Sequence, residues 1–346
     1  MRVERREARG ERGRFPFYAL RFALWGTAVL LFWFILRTVS LAETWVVLRR
    51  LDGWQLVLLA AVNGLVLLLM NGRWWLILRG QGHRIPYLAL TRYRLAGASL
   101  SYITPGPQFG GEPLQVLLIE RHHGVGRETA VAAITLDKTL ELMVNFSFLV
   151  VGVWVVWQTR LLGEVAAWQT AVFPLFLLAL PLTCLVGFWR DWQMLAWFAR
   201  LPIRLLRHTP WAHRALPWQQ SLTATEQAIT RLCQQQPATL TLALLCSLLA
   251  WLALMAEFWL MLALLGIDVT FLQMVVILTA ARVAILLPLP GGLGTLEASQ
   301  VYALTAFGFE PATALSVSLL IRARDVLLAG LGLWITRSSF LTVPPS

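Results

Sequence analysis

The stretch TPGPQFGGEPLQ, residues 104–115, decides how this chain is read. It holds three prolines, three glycines and one carboxylate, Glu112. Proline removes a backbone donor and glycine is costly in a helix interior, so no helix runs cleanly through it. The apolar pieces on either side, residues 95–103 and PLQVLLIE at 113–120, are each too short to cross a bilayer. Ten helical residues rise only about 15 Å, half the hydrocarbon thickness. Both outer flanks are basic: RGQGHRIPYLALTRYR precedes the first piece and RHHGVGRE follows the second. The economical reading is a re-entrant hairpin that enters from the cytoplasm, breaks at mid-depth and returns. Its break would fall at Pro105, Pro107, Gly110 and Gly111. Irregular backbone at that depth is tolerated only inside protein or against a wet cavity.

Composition supports the membrane. Of 346 residues, 58% are hydrophobic and 14% charged, against about 25% charged in a soluble domain. Mean hydropathy is +0.66. Full spans are expected near 17–36, 54–78, 129–157, 168–189, 238–265 and 311–335. The basic residues 1–16 form a cytoplasmic N-terminus without a cleavable leader. Residues 37–53 are amphipathic and interfacial, residues 190–237 form cytoplasmic amphipathic helices, and 338–346 is a cytoplasmic tail. With this topology 20 Lys and Arg residues lie inside and 4 outside, as the positive-inside rule requires. That asymmetry accounts for the net charge of +11 without invoking nucleic acid. The 17 tryptophans gather near span ends as an aromatic belt. Cys184, Cys233 and Cys246 read as buried small residues.

A second breaker lies in LLPLPGGLGTLEAS, residues 286–299, at Pro288, Pro290, Gly291, Gly292 and Gly294, closing on Glu297. After Gly124 comes alanine at +6, a cation at +14 (Lys138) and an acid at +17 (Glu141). After Gly308 the same offsets hold Ala314, Arg322 and Asp325. The expectation is an all-α polytopic membrane protein. About six full spans and two re-entrant helical hairpins form one membrane domain, residues 17–337. The hairpin-plus-span units, 95–157 and 271–335, form an inverted repeat, which places binding sites near the midplane.

Five cations fall inside apolar segments: Arg73, Lys138, Arg282, Arg322 and Arg324. Lys138 is the only lysine of the chain. Asp137, Glu141 and Asn145 share a helix face at i, i+4, i+8. Glu141 lies roughly 18 Å into its span, where a charge costs at least about 2.5–3.5 kcal/mol on insertion scales. The structural alternative pairs Lys138 with Glu141 and Arg322 with Asp325. Arg282 either pairs with Glu297 or a lipid phosphate, or is purely structural. Arg324 is expected to snorkel. His122 and His123 lack the partners of a metal site, so no metal is expected. PGGLG is not a nucleotide loop, no catalytic constellation appears, and neither an enzyme nor a cofactor is expected.

GGEPLQVLLIERHHGV, TLDKTLEL, LPLPGGLGTLEA and LLIRARDVLL resemble the lysylphosphatidylglycerol synthase transmembrane family, also called flippase-like membrane proteins. The resemblance runs from about residue 17 to 337 and points to Gly111, Glu112, Pro290, Gly291, Gly292, Gly294, Glu297 and Arg322. Many relatives carry an arginine where this chain has Phe109 or Gln115. The synthases append a soluble aminoacyl transferase domain, which this chain lacks, so it is not expected to make the aminoacyl lipid. What the resemblance implies is a lipid flippase of the inner membrane with both termini cytoplasmic. Its partner is an anionic phospholipid or a polyprenyl-linked lipid. Arg282, Arg322 and Lys138 would hold the phosphate; Glu112, Asp137, Glu141, Glu297 and Asp325 would complete the site. Three readings remain open beside it: a transporter of a soluble solute, a non-transporting partner of a cell-envelope glycosyltransferase, and, last, an enzyme acting on lipid-linked substrate.

Overall fold

Local signals set the helix boundaries. This computed structural model describes residues 46, 49, 51–103, 110–159, 167–197, 212–287, 289 and 292–341. Ten helices carry the description: α1 (Gly53–Gly80), α2 (Tyr87–Ile103), α3 (Glu112–His123), α4 (Arg127–Gln158), α5 (Ala167–Trp189), α6 (Ala212–Gln235), α7 (Pro237–Leu264), α8 (Phe271–Leu286), α9 (Thr295–Ala306) and α10 (Pro311–Leu341). No strand occurs among the described residues. The segments 1–16, 17–36, most of 37–53, and Pro105, Pro107, Phe109, Pro288, Pro290 and Gly291 lie outside them, as do 342–346.

At α1, the Asp52 N–H donates to Gln55 Oε1 at 2.9 Å. At α8, the Gln273 N–H donates to Thr270 Oγ1 at 3.3 Å and the Thr270 N–H to Gln273 Oε1 at 2.8 Å, a reciprocal cap. Gly124 and Gly308 end or follow the short helices α3 and α9 at φ +62° and +86°, where a side chain would be strained. These are the two glycines from which the repeat was counted.

Four helices are long and apolar enough to span: Gly53–Gly80, Arg127–Gln158, Val172–Trp189 and Pro237–Leu264. The chain is therefore a polytopic, all-helical membrane protein. Between these helices sit two helical pairs with matching arms, 17 and 12 residues for α2–α3, 16 and 12 for α8–α9. None of the four arms reaches the roughly 20 residues a span needs. The first arm is longer than its apolar piece implied. Pro86 starts α2 at Tyr87, so Arg92 and Arg94 lie on the helix, and Arg94 turns into the protein.

Packing follows a reciprocal scheme. α2 packs on α10 and α8 on α4, while α1 and α7 lie against each other. Small residues permit the approach. A Cβ on Gly332 would meet Ser99 Oγ and the Leu95 carbonyl, and one on Gly152 would meet Thr279. The Ser99 hydroxyl donates across the first of these contacts to the Ala329 carbonyl at 2.8 Å. Within α2–α3, a Cβ on Gly111 would strike the Gly97 carbonyl, so the two arms touch backbone to backbone there.

Two apolar cores result. One gathers α2 and α3 around the C-terminal end of α1 (Trp74, Ile77, Leu78) and the N-terminal ends of α4 and α7 (Ala130, Ala133, Leu240, Ala243). The other gathers α8, α9 and α10 around the opposite ends: Leu59 of α1, Phe148 and Val155 of α4, Phe258 and Leu262 of α7. The two pairs thus dock at opposite ends of the same three helices. Amphipathic α6 closes the first core with Ile229, Leu232 and Cys233, and burial pushes the Cys233 thiol up to about 11. The Glu226 carboxylate accepts from the Leu195 and Ala196 N–H groups at 3.0 and 2.9 Å, tying α6 to the turn of helix at 194–197.

Candidate functional site

Charged side chains of eight helices, α1 to α4 and α7 to α10, gather in two groups. Each helical pair carries a glutamate at the start of its second arm, and each glutamate holds its own break. The Gly110 N–H donates to Glu112 Oε2 at 2.8 Å, and the Gly294 N–H donates to Glu297 Oε2 at 2.8 Å. Each then meets the cation 14 residues past its glycine turn: Lys138 stands 3.5 Å from Glu112, and Arg322 donates to Glu297 at 2.7 Å. Arg322 also donates to the Gly292 carbonyl at 2.7 Å, stitching α10 to the break itself.

The first charge group is a chain. Arg94 reaches Asp137 at 3.0 Å, and Asp137 takes Arg73 at 2.6 Å. Arg73 reaches on to Glu141 at 2.8 Å, and Glu141 meets Lys138 at 3.3 Å. Arg73 donates further to Ser247 Oγ at 3.1 Å, so one guanidinium joins α1, α4 and α7. Arg73 and Asp137 are sealed, whereas Glu112, Lys138 and Glu141 keep 19 to 28% of their side chains open. The second group joins Arg324 to Asp325 at 2.8 Å and to Glu257 at 3.1 Å. Asn63 of α1 also donates to Glu257, at 3.2 Å. Each group holds three acids and, with Arg282 counted in the second, three cations.

Arg282 differs from the other five cations. It lies on α8 with its guanidinium 4.5 Å over the Trp251 ring. Its buried Nε has no hydrogen-bond partner among the described residues. The charges that act on it are Arg324, Glu141, Asp325 and Glu257, drawn from both groups.

Several expected pairings change. Lys138 does meet Glu141, but it is shared with Glu112. Arg322 pairs with Glu297 rather than Asp325, whose carboxylate is taken by its neighbour Arg324. The Glu297 carboxylate is fully buried and already oriented by Gly294, so it is the acid that needs a buried cation. Arg282 therefore has no ion pair with Glu297. Arg324 does not snorkel; it bridges α10 to α7. Arg94 and Glu257 were missed, and Arg73 was noted only as an intramembrane cation. One signal could have found Glu257: it precedes Gly308 by 51 residues, as Arg73 precedes Gly124. Among the described residues no group of three His, Cys, Asp or Glu side chains could hold a metal.

Residues 18–332 match the family described as the lysylphosphatidylglycerol synthase TM region. A "UPF0104 membrane protein" from Methanothermobacter thermautotrophicus is 22% identical over 289 residues, 80% of this chain and 82% of that protein. No solved structure matches.

Proposed function

The chain belongs to the lysylphosphatidylglycerol synthase transmembrane family, and from that premise we propose that it is a lipid flippase of the inner membrane. The polar headgroup of a phospholipid or lipid-linked sugar crosses among the charges between two inverted repeats, while the acyl chains stay in the bilayer. Both termini face the cytoplasm.

Arg282 is the observation that carries this reading. A cation within an apolar helix is expensive unless paired. This one has a stacking ring and, among the described residues, no hydrogen-bonding anion. A phosphate oxygen supplies what Nε lacks, through a charge-assisted hydrogen bond. The partly open Glu141 and Lys138 of the first group and Arg324 and Asp325 of the second supply a polar route for it. Arg322, clamped by Glu297 and Gly292, serves the second break rather than the phosphate.

The inverted arrangement rests on four matched features. α2 lies on α10 as α8 lies on α4, and α1 faces α7. The glutamate–cation pairs correspond, the left-handed glycines correspond, and Arg73 and Glu257 hold equal offsets with opposite charge. The two hairpins then enter from opposite faces and shield the headgroup in turn. The longer, partly open Lys138–Glu112 pair makes α2–α3 the looser of the two.

A cysteine-accessibility experiment tests the architecture. In a cysteine-free background, G126C and E310C occupy the exposed turns after α3 and α9. An impermeant maleimide should modify the first only from the cytoplasmic side and the second only from outside; labelling of both from one side ends the inverted reading. Mass spectrometry tests the binding. The purified protein should retain a phospholipid that Arg282→Ala loses, and equal retention by both proteins argues against Arg282 as the phosphate ligand.

A further inference from the structure

Glu257 of α7 is the most buried unsatisfied acid near Arg282. Its side chain is 2% exposed. Its Oε1 accepts from Asn63 and Arg324, yet its buried Oε2 has no partner among the described residues. A carboxylate oxygen accepts about two hydrogen bonds, and leaving one buried without any costs about 1–3 kcal/mol. Arg282 stacks on Trp251 of α7, the helix that also carries Glu257, and its own Nε is unpartnered among the described residues. An orphaned acceptor and an orphaned cationic donor therefore lie on and against one helix, α7.

We propose that the headgroup taken by this site is zwitterionic: its phosphate sits on Arg282 and a primary ammonium donates to Glu257 Oε2. This rests on the lipid-transport reading and names the substrate class of the same site. The chemistry is that of a phosphoethanolamine-type headgroup, a phosphate and an amine joined by a short linker. The charge balance points the same way. Each charge group already sets three acids against three cations, so a purely anionic headgroup adds an uncompensated negative charge in a region where charges are poorly screened. A zwitterion leaves the balance unchanged and satisfies both orphaned atoms. The Trp251 ring under Arg282 closes one face of the guanidinium, so the phosphate approaches from the edge that carries Nε.

The test uses the full-length protein in proteoliposomes with acyl-chain-labelled phosphatidylethanolamine, phosphatidylglycerol and phosphatidylcholine. Phosphatidylethanolamine should cross about tenfold faster than phosphatidylglycerol, the ratio for about 1.4 kcal/mol from one charged hydrogen bond. It should also outpace phosphatidylcholine, whose quaternary ammonium has no N–H to donate. Glu257→Gln keeps an acceptor for Asn63 and Arg324 but loses the charge, and should bring the first ratio within about twofold. Equal rates for the three lipids in the wild-type protein overturn this inference and leave lipid transport standing. Movement of none of them overturns the transport reading and this inference together. An unaltered preference in a folded Glu257→Gln protein also overturns it. If that variant fails to fold, the comparison of ethanolamine with choline headgroups in the wild-type protein decides the matter alone.

Discussion

Arg322→Ala is expected to lose about 3–5 kcal/mol of stability, because it leaves a buried carboxylate without its cation. Glu297 has no exposed surface, and its remaining donor is the Gly294 N–H. The variant also frees the Gly292 carbonyl, which accepts from Arg322 at 2.7 Å. The loss therefore falls on the second break and on the contact of α9 with α10. Unfolding in detergent, followed by the fraction that remains monodisperse on heating, measures it. Arg322→Ala with Glu297→Gln should recover about half of the loss, since a neutral amide tolerates burial better than an unpaired charge. A single variant as stable as wild type, or a double variant no better than the single, contradicts the assigned pair.

Arg282→Ala is expected to do the reverse: keep the fold and lose the activity. Among the described residues no acid lies within ion-pair distance of Arg282, so its removal strands no partner there. The structural loss is the stacking on Trp251, about 0.5–1 kcal/mol. The functional loss is a charge-assisted hydrogen bond to the phosphate, about 1.5–3 kcal/mol, or roughly 10- to 150-fold in rate if that bond is made in the crossing step. The contrast between these two arginines separates scaffold from site. One is clamped by a carboxylate and a carbonyl; the other stacks on Trp251 with a buried Nε that has no partner among the described residues.

The breaks were legible in the sequence because prolines, glycines and charges are the few interruptions of an otherwise apolar chain. Counting offsets from Gly124 and Gly308 matched Lys138 with Arg322 and Glu141 with Asp325, and the two breaks matched Glu112 with Glu297; that each break's glutamate meets the matched cation is seen only in the structure. Partners across helices were harder to read. Spacing on a helix reports neighbours at i+3 and i+4, which favoured Arg322 with Asp325 and hid the contact with Glu297 on another helix. Arg94 looked like one more basic residue at the cytoplasmic flank, because composition cannot tell an arginine that snorkels from one that turns inward to Asp137. Glu257 stood alone in an apolar run, and its partners Asn63 and Arg324 lie 194 and 67 residues away. The expected Arg282–Glu297 pair failed for a related reason. Each glutamate is held by the glycine of its own break and the cation of the following helix, which leaves Arg282 to other company.

The most direct test is movement of labelled phospholipid between leaflets in proteoliposomes holding either wild-type protein or Arg282→Ala, matched for amount and thermal stability. The account predicts rapid exchange with the wild-type protein, and a variant at least about tenfold slower. A stable Arg282→Ala protein that moves lipid at the wild-type rate contradicts the role of Arg282, and a wild-type protein no faster than empty vesicles contradicts lipid transport itself.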